Sequence, residues 1–299
     1  MFKKYLFIAL FSVTTVLSSS NFGTITTGNS NGTYIKIGQD ISTIFQKYDA
    51  RLKVHTSEGS IENLDILTNQ NPEIGASWAI VQSDALDYYR FLYFKETKEE
   101  VTEKIKTILP LYTEHIHVFA KKGKVIDFSK GAVIRASISS HKSGSNITAN
   151  LLENIYKVNF KYSYNDFQTA LQKLENDKID IIISVISFPN KNYQNLSNVT
   201  LVNLPINKVM NKKYIQTKFL KSQYKWLDKD INGYKVPSVI VTNKITPSSE
   251  KLVSIFLKII FREYSELKKS GDSKWKEVYT NKKLKVENIH PAVVKILNK

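Results

Sequence analysis

Thr26-Thr27-Gly28-Asn29-Ser30-Asn31-Gly32-Thr33-Tyr34 and, thirty residues on, Thr56-Ser57-Glu58-Gly59-Ser60-Ile61-Glu62-Asn63-Leu64 decide the fold class. Each segment follows a short β-branched run and precedes an amphipathic stretch. Each therefore reads as a strand, a small polar loop and a helix N-terminus. Such a loop exposes backbone N–H groups at the positive end of a helix dipole, which suits an anion. Two of them at one sheet edge predict a ligand cleft.

Outward from this pair the pattern repeats. Residues 23–27 read as a strand, and 35–48 as a helix with Ile37, Ile41, Ile44 and Phe45 on one face. A strand over 51–56, a helix over 60–68, a strand over 73–78 and a helix over 82–93 follow. This β-α-β-α-β-α order predicts an α/β unit with a mostly parallel sheet. Residues 105–120 read as two strand pieces, 106–112 and 115–120. A second series opens near residue 121, with strands at 133–138, 179–186 and 201–204 and helices at 147–156 and 165–176. Residues 206–236 read as irregular, 237–242 as a strand, 247–270 as one long helix, and the chain beyond 273 as a helical tail. The sequence contains no solenoid repeat and no low-complexity linker. Two series without a flexible linker predict two lobes joined by crossing strands, with the cleft at the carboxyl ends of the strands.

The 299 residues, 42% of them hydrophobic, suffice for two cored lobes. Residues 1–20 read as a secretory signal peptide: Lys3 and Lys4, an apolar run over 5–17, then Ser18, Ser19 and Ser20. The apolar run is short for a membrane span, although retention as an anchor stays open. Zero cysteines in an exported chain of this size point to a bacterial periplasmic protein, and exclude a lipid-modified Cys. The net charge of +16 is uneven: residues 201–299 carry +13, from 21 Lys and Arg against 8 Asp and Glu. The basic residues are spread and lack the aromatic spacing that stacking on single strands needs. With export, this argues against nucleic acid.

The candidate sites each fit two readings. The Gly28–Tyr34 loop reads as a ligand loop, with Asn31, Thr33 and Tyr34 as contacts and glycines that free the backbone. It reads equally as a βα turn with a Thr N-cap. Ser143, Gly144 and Ser145 open a helix after a strand. They can grip a carboxylate, or Ser145 or Asn146 can be a plain cap. Gln82 and Ser83 can donate to a ligand or cap the helix behind them, and Asp84 reads as a first-turn acid complementing the dipole. His115 and His117 share a strand face, with Glu114 on the other, but a metal site needs more ligands than these. His141 with Ser143 and Ser145 lacks a nucleophile elbow and an orienting carboxylate. Phosphate-loop and dinucleotide fingerprints are missing, and no cofactor is predicted.

Several segments together resemble the TAXI-type solute-binding proteins of tripartite ATP-independent periplasmic (TRAP) transporters. They are Thr27-Gly28…Asn31-Gly32-Thr33-Tyr34, Ser60-Ile61-Glu62-Asn63-Leu64 and Ala79-Ile80-Val81-Gln82-Ser83-Asp84. Leu109-Pro110-Leu111-Tyr112…His115-Ile116-His117-Val118, Ser143-Gly144-Ser145 and Ala170-Leu171…Lys178-Ile179-Asp180 continue the order. The resemblance implies a bilobed α/β binding protein of the periplasmic type II kind, with two βαβ lobes joined by crossing strands. Lobe 1 would be 21–118 plus 237–299, and lobe 2 would be 119–236. It implies a small carboxylate ligand, an amino or organic acid, delivered to a membrane permease run by a cation gradient. It also implies no catalytic activity and a monomer. Carried onto this sequence, the ligand-binding residues are Asn31, Thr33, Tyr34, Ser60, Asn63, Gln82, Ser143, Gly144 and Ser145. The chain departs from the pattern at Asn31-Gly32, where the family has Gly-Gly. It departs again at Asn69–Ser77, which is extra length, at Ser187-Phe188-Pro189 and at His290-Pro291-Ala292.

No Arg is placed by sequence to clamp a carboxylate; Arg51, Arg90, Arg135 and Arg262 are the candidates. Two rival functions remain open from sequence: a ligand sensor of the same fold partnered with a kinase, and an exported hydrolase.

Overall fold

The computed structural model describes residues 20–69, 71–98, 104–278 and 288–297. The expected signal peptide lies outside the described residues, apart from Ser20. The first half of the chain runs β1 (Ser20–Thr26), α1 (Thr33–Gln46), β2 (Ala50–His55), α2 (Ser60–Thr68), β3 (Ala76–Gln82) and α3 (Ser83–Thr97). The second runs β4 (Lys106–Lys121), β5 (Val133–Ile138), α4 (Gly144–Tyr156), β6 (Asn159–Tyr164), α5 (Phe167–Glu175), β7 (Ile181–Ser187), β8 (Val199–Leu201), α6 (Lys208–Lys213) and β9 (Ile215–Phe219). The chain then returns through β10 (Ile231–Thr242) and ends in α7 (Glu250–Arg262), α8 (Tyr264–Ser270) and α9 (Pro291–Leu297).

The strands form one curled sheet in the order β2-β1-β3-β10-β4-β7-β5-β6, with β8 beside β4 and β9 beside β10. Parallel pairing holds within each trio, β2-β1-β3 and β7-β5-β6. The expected mostly parallel sheet is corrected at its centre. There β10 runs antiparallel to both β3 and β4, and β4 antiparallel to β7. Side-chain periodicity reports a buried strand but not its neighbour's direction, so this insertion has no signature in the sequence.

Each half is a sheet covered on both faces, which explains the near-continuous apolar runs of β3 and β7. On one face of the first half, α1 and α7 bury Ile37, Ile41, Phe45, Val253 and Phe256. Phe256 stacks on Trp78 at 4.1 Å between ring centroids and meets Phe45 edge-on at 5.1 Å. The other face is closed by Leu64 and Leu67 of α2 and Leu86 and Tyr89 of α3. The second half is covered by α4 on one face, with Ala149 and Leu152, and by α5 on the other, with Ala170 and Leu174.

Two strands belong to both halves. Along β4, Ile108 to Tyr112 join the first core and Ile116 to Ala120 the cores of the second half. Along β10, Tyr234 and Val236 join the second and Val239 to Val241 the first. The crossing therefore falls near Thr113–His115, inside a continuous strand rather than the break expected there. The irregular stretch expected at 206–236 holds α6, β9 and the start of β10. The long helix expected over 247–270 is divided at Glu263, whose backbone leaves the helical region at φ −89°, ψ 5°.

No helix among the described residues is long and apolar enough to cross a membrane.

Candidate functional site

A cavity of about 980 Å³ lies between the two halves. Its walls come from the loop before α1, the first turns of α2, α4 and α5, the end of β3, the middle of β4 and the end of β7. All four helices point their N-termini at it, a direct result of loops leaving the carboxyl ends of parallel strands.

The four N-termini differ in what occupies their donors. In α5, Asp166 caps its own helix, accepting from Gln168 N and Thr169 N at 3.0 Å each. In α2, the first-turn N–H groups of Ile61 and Glu62 reach the carbonyl of Lys142, in the other half, at 3.1 and 3.4 Å. Gly59, before α2, has φ +135°, and a Cβ there would stand 3.1 Å from Ser143 Cα, so glycine permits this approach.

The remaining two helices keep their donors. Gly32 caps α1 without a side chain, and no acceptor reaches the N–H groups of Thr33 and Tyr34 among the described residues. Ser143 caps α4 by accepting from Asn146 N at 3.3 Å, which leaves the Gly144 and Ser145 N–H groups without an acceptor there. The glycine freedom expected of the Gly28–Tyr34 loop is not used at Gly32, which has an ordinary extended backbone at φ −79°.

Eight of the nine sequence-derived residues line the cavity: Asn31, Thr33, Tyr34, Ser60, Gln82, Ser143, Gly144 and Ser145. Asn63 does not. Its amide nitrogen donates to the carbonyls of Thr27 and Ile80 at 2.5 and 2.8 Å, and its oxygen accepts from Ser57 at 2.7 Å. It ties the loop before α1 to β3 from behind. Ser60 Oγ accepts from Gln82 N at 3.1 Å, and Ser145 Oγ from Val185 N at 2.9 Å. Thr33 and Ser187 meet across the cleft at 2.8 Å between hydroxyl oxygens.

Glu114 stands out among residues whose role sequence reasoning missed. It sits where β4 passes between the halves, is 5% exposed, and accepts from Tyr34 OH at 2.6 Å. Burial pushes its carboxyl up to about 8, against the opposing hydrogen bonds of Tyr34 and Gln82. Asp84 was expected to complement a dipole. It is instead buried, and one oxygen accepts from Thr148 at 2.7 Å and Tyr214 OH at 2.9 Å, both in the other half. Burial raises its carboxyl too. Further contacts tie the halves: Ser140 donates to Glu58, and Lys274 Nζ donates to Phe188 O at 2.7 Å. The halves are drawn together over the cavity.

The Arg candidates are placed elsewhere. Arg135 pairs with Asp180 through two nitrogens at 2.7 and 3.0 Å, Arg262 lies 5.7 Å from the Tyr48 ring, and Arg90 reaches Asp87 at 3.4 Å. Lys36 is the cation among the lining residues. His115 and His117 pack among Phe188, Phe219 and Tyr224, and burial drives both pKa values down, to about 2 and about 3. They stay neutral core residues. Ser143 Oγ donates to Ser140 O at 2.6 Å, and the ring of His141 faces Tyr164.

The sequence profile of the NMT1-like family matches residues 25–297. No curated protein matches the sequence. Among solved structures the chain is similar to a periplasmic transporter, at 10% identity and a TM-score of 0.53, over 84% of this chain and 85% of that one. It is also similar to the ligand-binding component of an ABC-type import system from Staphylococcus aureus, crystallised with zinc. That likeness has 11% identity and a TM-score of 0.49, over 88% of this chain and 80% of that one. A third similarity is to the amino acid ABC transporter substrate-binding protein AbpA from Streptococcus pneumoniae, bound to L-arginine. It has 13% identity and a TM-score of 0.49, over 87% of this chain and 96% of that one.

Proposed function

The chain belongs to the NMT1-like family and has the bilobed fold of periplasmic binding proteins, and from that premise we propose that it is a periplasmic solute-binding receptor for a small carboxylate. One observation carries the reading: the unoccupied first-turn N–H groups of α1 and α4 open on the same cleft. Such donors, aligned with helix dipoles, hold a carboxylate without a charged side chain. The proposed contacts are Thr33, Tyr34, Ser143, Gly144 and Ser145, with Asn31, Ser60 and Gln82 beside them. Asn63 shapes the loop from behind. The lobes are proposed as 21–118 plus 237–299 and 119–236, closing over the solute. A signal peptide at residues 1–20 would deliver a monomer to the periplasm.

The partner we propose is a TRAP-type permease, with this chain as its TAXI-type receptor. The family segments from Thr27 to Asp180 support that choice over an ATP-driven importer. The reading is of a receptor rather than an enzyme: Ser143 caps α4, and the Ser60 and Ser145 hydroxyls accept from Gln82 N and Val185 N.

A thermal-shift screen with amino and organic acids tests ligand capture. A ligand at a hundred times its dissociation constant adds about 2.7 kcal/mol to stability. A shift with a neutral sugar or a metal, and none with any carboxylate, refutes the reading. Uptake by cells carrying receptor and permease should stop when the cation gradient is collapsed. If uptake instead follows ATP depletion alone, the TRAP partnership fails.

A further inference from the structure

We infer that Glu114 and Gln82 are specificity-determining residues that select a carboxylate bearing a hydrogen-bond donor, an ammonium or hydroxyl, next to its acid group. The inference rests on the carboxylate reading of the cleft and names what else the solute must carry.

Three carboxyl side chains line the cavity, and two are already engaged. Asp166 caps α5, and Glu58 accepts from Ser140. Glu114 differs. Its Oε2 accepts from Tyr34 OH, its carboxyl also bonds the Gln82 amide, and it lines the cavity uncapped by any helix or cation among the described residues. Beside it, Gln82 is 2% exposed, and its Oε1 is buried with no hydrogen-bond partner there. A buried acceptor without a donor is costly, by more than a made hydrogen bond returns. The unmet Gln82 oxygen, set beside the buried Glu114 carboxyl on one cavity wall, is therefore a binding feature that a solute completes.

Their position sets where the donor must be. A Cβ built on Gly144 would stand 1.9 Å from Gln82 Oε1, so that oxygen rests against the α4 first turn whose N–H groups are open. A carboxylate on those N–H groups thus has its neighbouring carbon beside Gln82 and Glu114. A plain acid leaves the Gln82 oxygen unmet there and brings no donor to the Glu114 carboxyl. A second carboxylate meets an acidic wall, because Lys36 is the one cation against Glu58, Glu114 and Asp166 among the described lining residues.

Protonation separates the two donor types. Glu114 faces Tyr34 and Tyr112, both held neutral by burial, with Asp84 and Lys274 acting at longer range. With its carboxyl raised to about 8, Glu114 carries a proton at neutral pH. An incoming ammonium favours the carboxylate and expels that proton, whereas a hydroxyl does not.

The test uses acids matched in skeleton: 4-methylpentanoate, its 2-hydroxy derivative and leucine, then glutarate, 2-hydroxyglutarate and glutamate. Calorimetry in two buffers of different ionisation enthalpy reads affinity and proton release together. In the wild-type protein, a donor-bearing member of a series should bind at least about tenfold tighter than the plain acid. Gln82→Met should shrink that ratio, and Glu114→Gln should shrink it for the ammonium arm far more than for the hydroxyl arm. Proton release should accompany the ammonium arm alone. Because each ratio is taken within one protein, loss of fold in a variant does not mimic the effect. Equal binding across a series, or ratios unmoved by both substitutions, overturns the inference and leaves the carboxylate reading standing. Binding by no acid of either series refutes the carboxylate reading itself.

Discussion

Gly144→Ala isolates the closed state. Gly144 opens α4, and its φ is not in the left-handed region, so alanine suits the helix itself. The obstacle lies across the cleft: the new methyl would stand 1.9 Å from Gln82 Oε1, 2.5 Å from Gln82 Cδ and 2.9 Å from Ser60 Oγ. Restoring ordinary contact requires a retreat of about 1.5 Å, since carbon–heavy-atom contacts settle near 3.5 Å. Ser60 is pinned by its bond from Gln82 N, so either the Gln82 side chain swings away or the halves stay apart. Overpacking of this kind costs about 1–3 kcal/mol, which weakens ligand affinity by about 5- to 150-fold. Denaturant unfolding of the ligand-free variant should change little, because an opened cleft has room for a methyl. Calorimetry with the carboxylate giving the largest thermal shift supplies the affinity, and small-angle scattering reports closure. The double variant with Gln82→Ala removes the two nearest obstacles. In that background, Gly144→Ala should cost far less than it does alone. An unchanged affinity for Gly144→Ala, or the same loss in both backgrounds, refutes the account of a cleft closed by direct α4–Gln82 contact.

Three further outcomes follow from the same geometry. Asp84→Ala strands the hydroxyls of Thr148 and Tyr214. It should weaken ligand binding by about 1–3 kcal/mol, read by calorimetry, with Asp84→Asn milder; unaltered affinity would remove Asp84 from the closing contacts. Glu114 is protonated in the folded protein up to about 8 but only to about 4.5 when unfolded. The folded state therefore binds more protons across that window, and this contribution to stability is full below it and fades as pH rises through it. Denaturant midpoints across the window should show a shallower decline in Glu114→Gln than in the wild type; parallel curves would contradict the burial of that carboxyl. Phe256→Ala empties the space between Trp78 and Phe45 and should destabilise the protein by about 3–5 kcal/mol in denaturant melts.

Much of the architecture was legible because βα units write their two periods plainly. The spans of α2 and β5 were read to the residue, since Ile61, Leu64 and Leu67 mark one helix face and a β-branched run bounded by loops marks the strand. The strand β6 was missed: Asn159–Tyr164 buries one residue fully and mixes polar with aromatic, so neither face stands out. The start of β10 was hidden by Gly233 and Pro237, and its antiparallel place by the silence of sequence on pairing partners. Cleft residues on loop ends were legible from loop chemistry alone. Glu114 was not, because a Glu alternating with His in a strand carries no sign of which face meets a cleft. Asp84 looked like any first-turn acid, and its partners Thr148 and Tyr214 lie 64 and 130 residues away in sequence. Asn63 fits the loop pattern but turns inward to backbone carbonyls, a choice set by packing.

The central place of β10 also has a bearing on how the chain is made. The parallel trio of the first half has no link to β4 except through β10, which is synthesised some 150 residues after β3. The second half, by contrast, draws its parallel trio and covering helices from one contiguous run. During synthesis that half can assemble early, while the N-terminal segment waits with an open edge along β3. Until β10 fills that gap, this edge is the chain's main exposure to mispairing. Truncations before residue 242 should therefore aggregate rather than yield a working half.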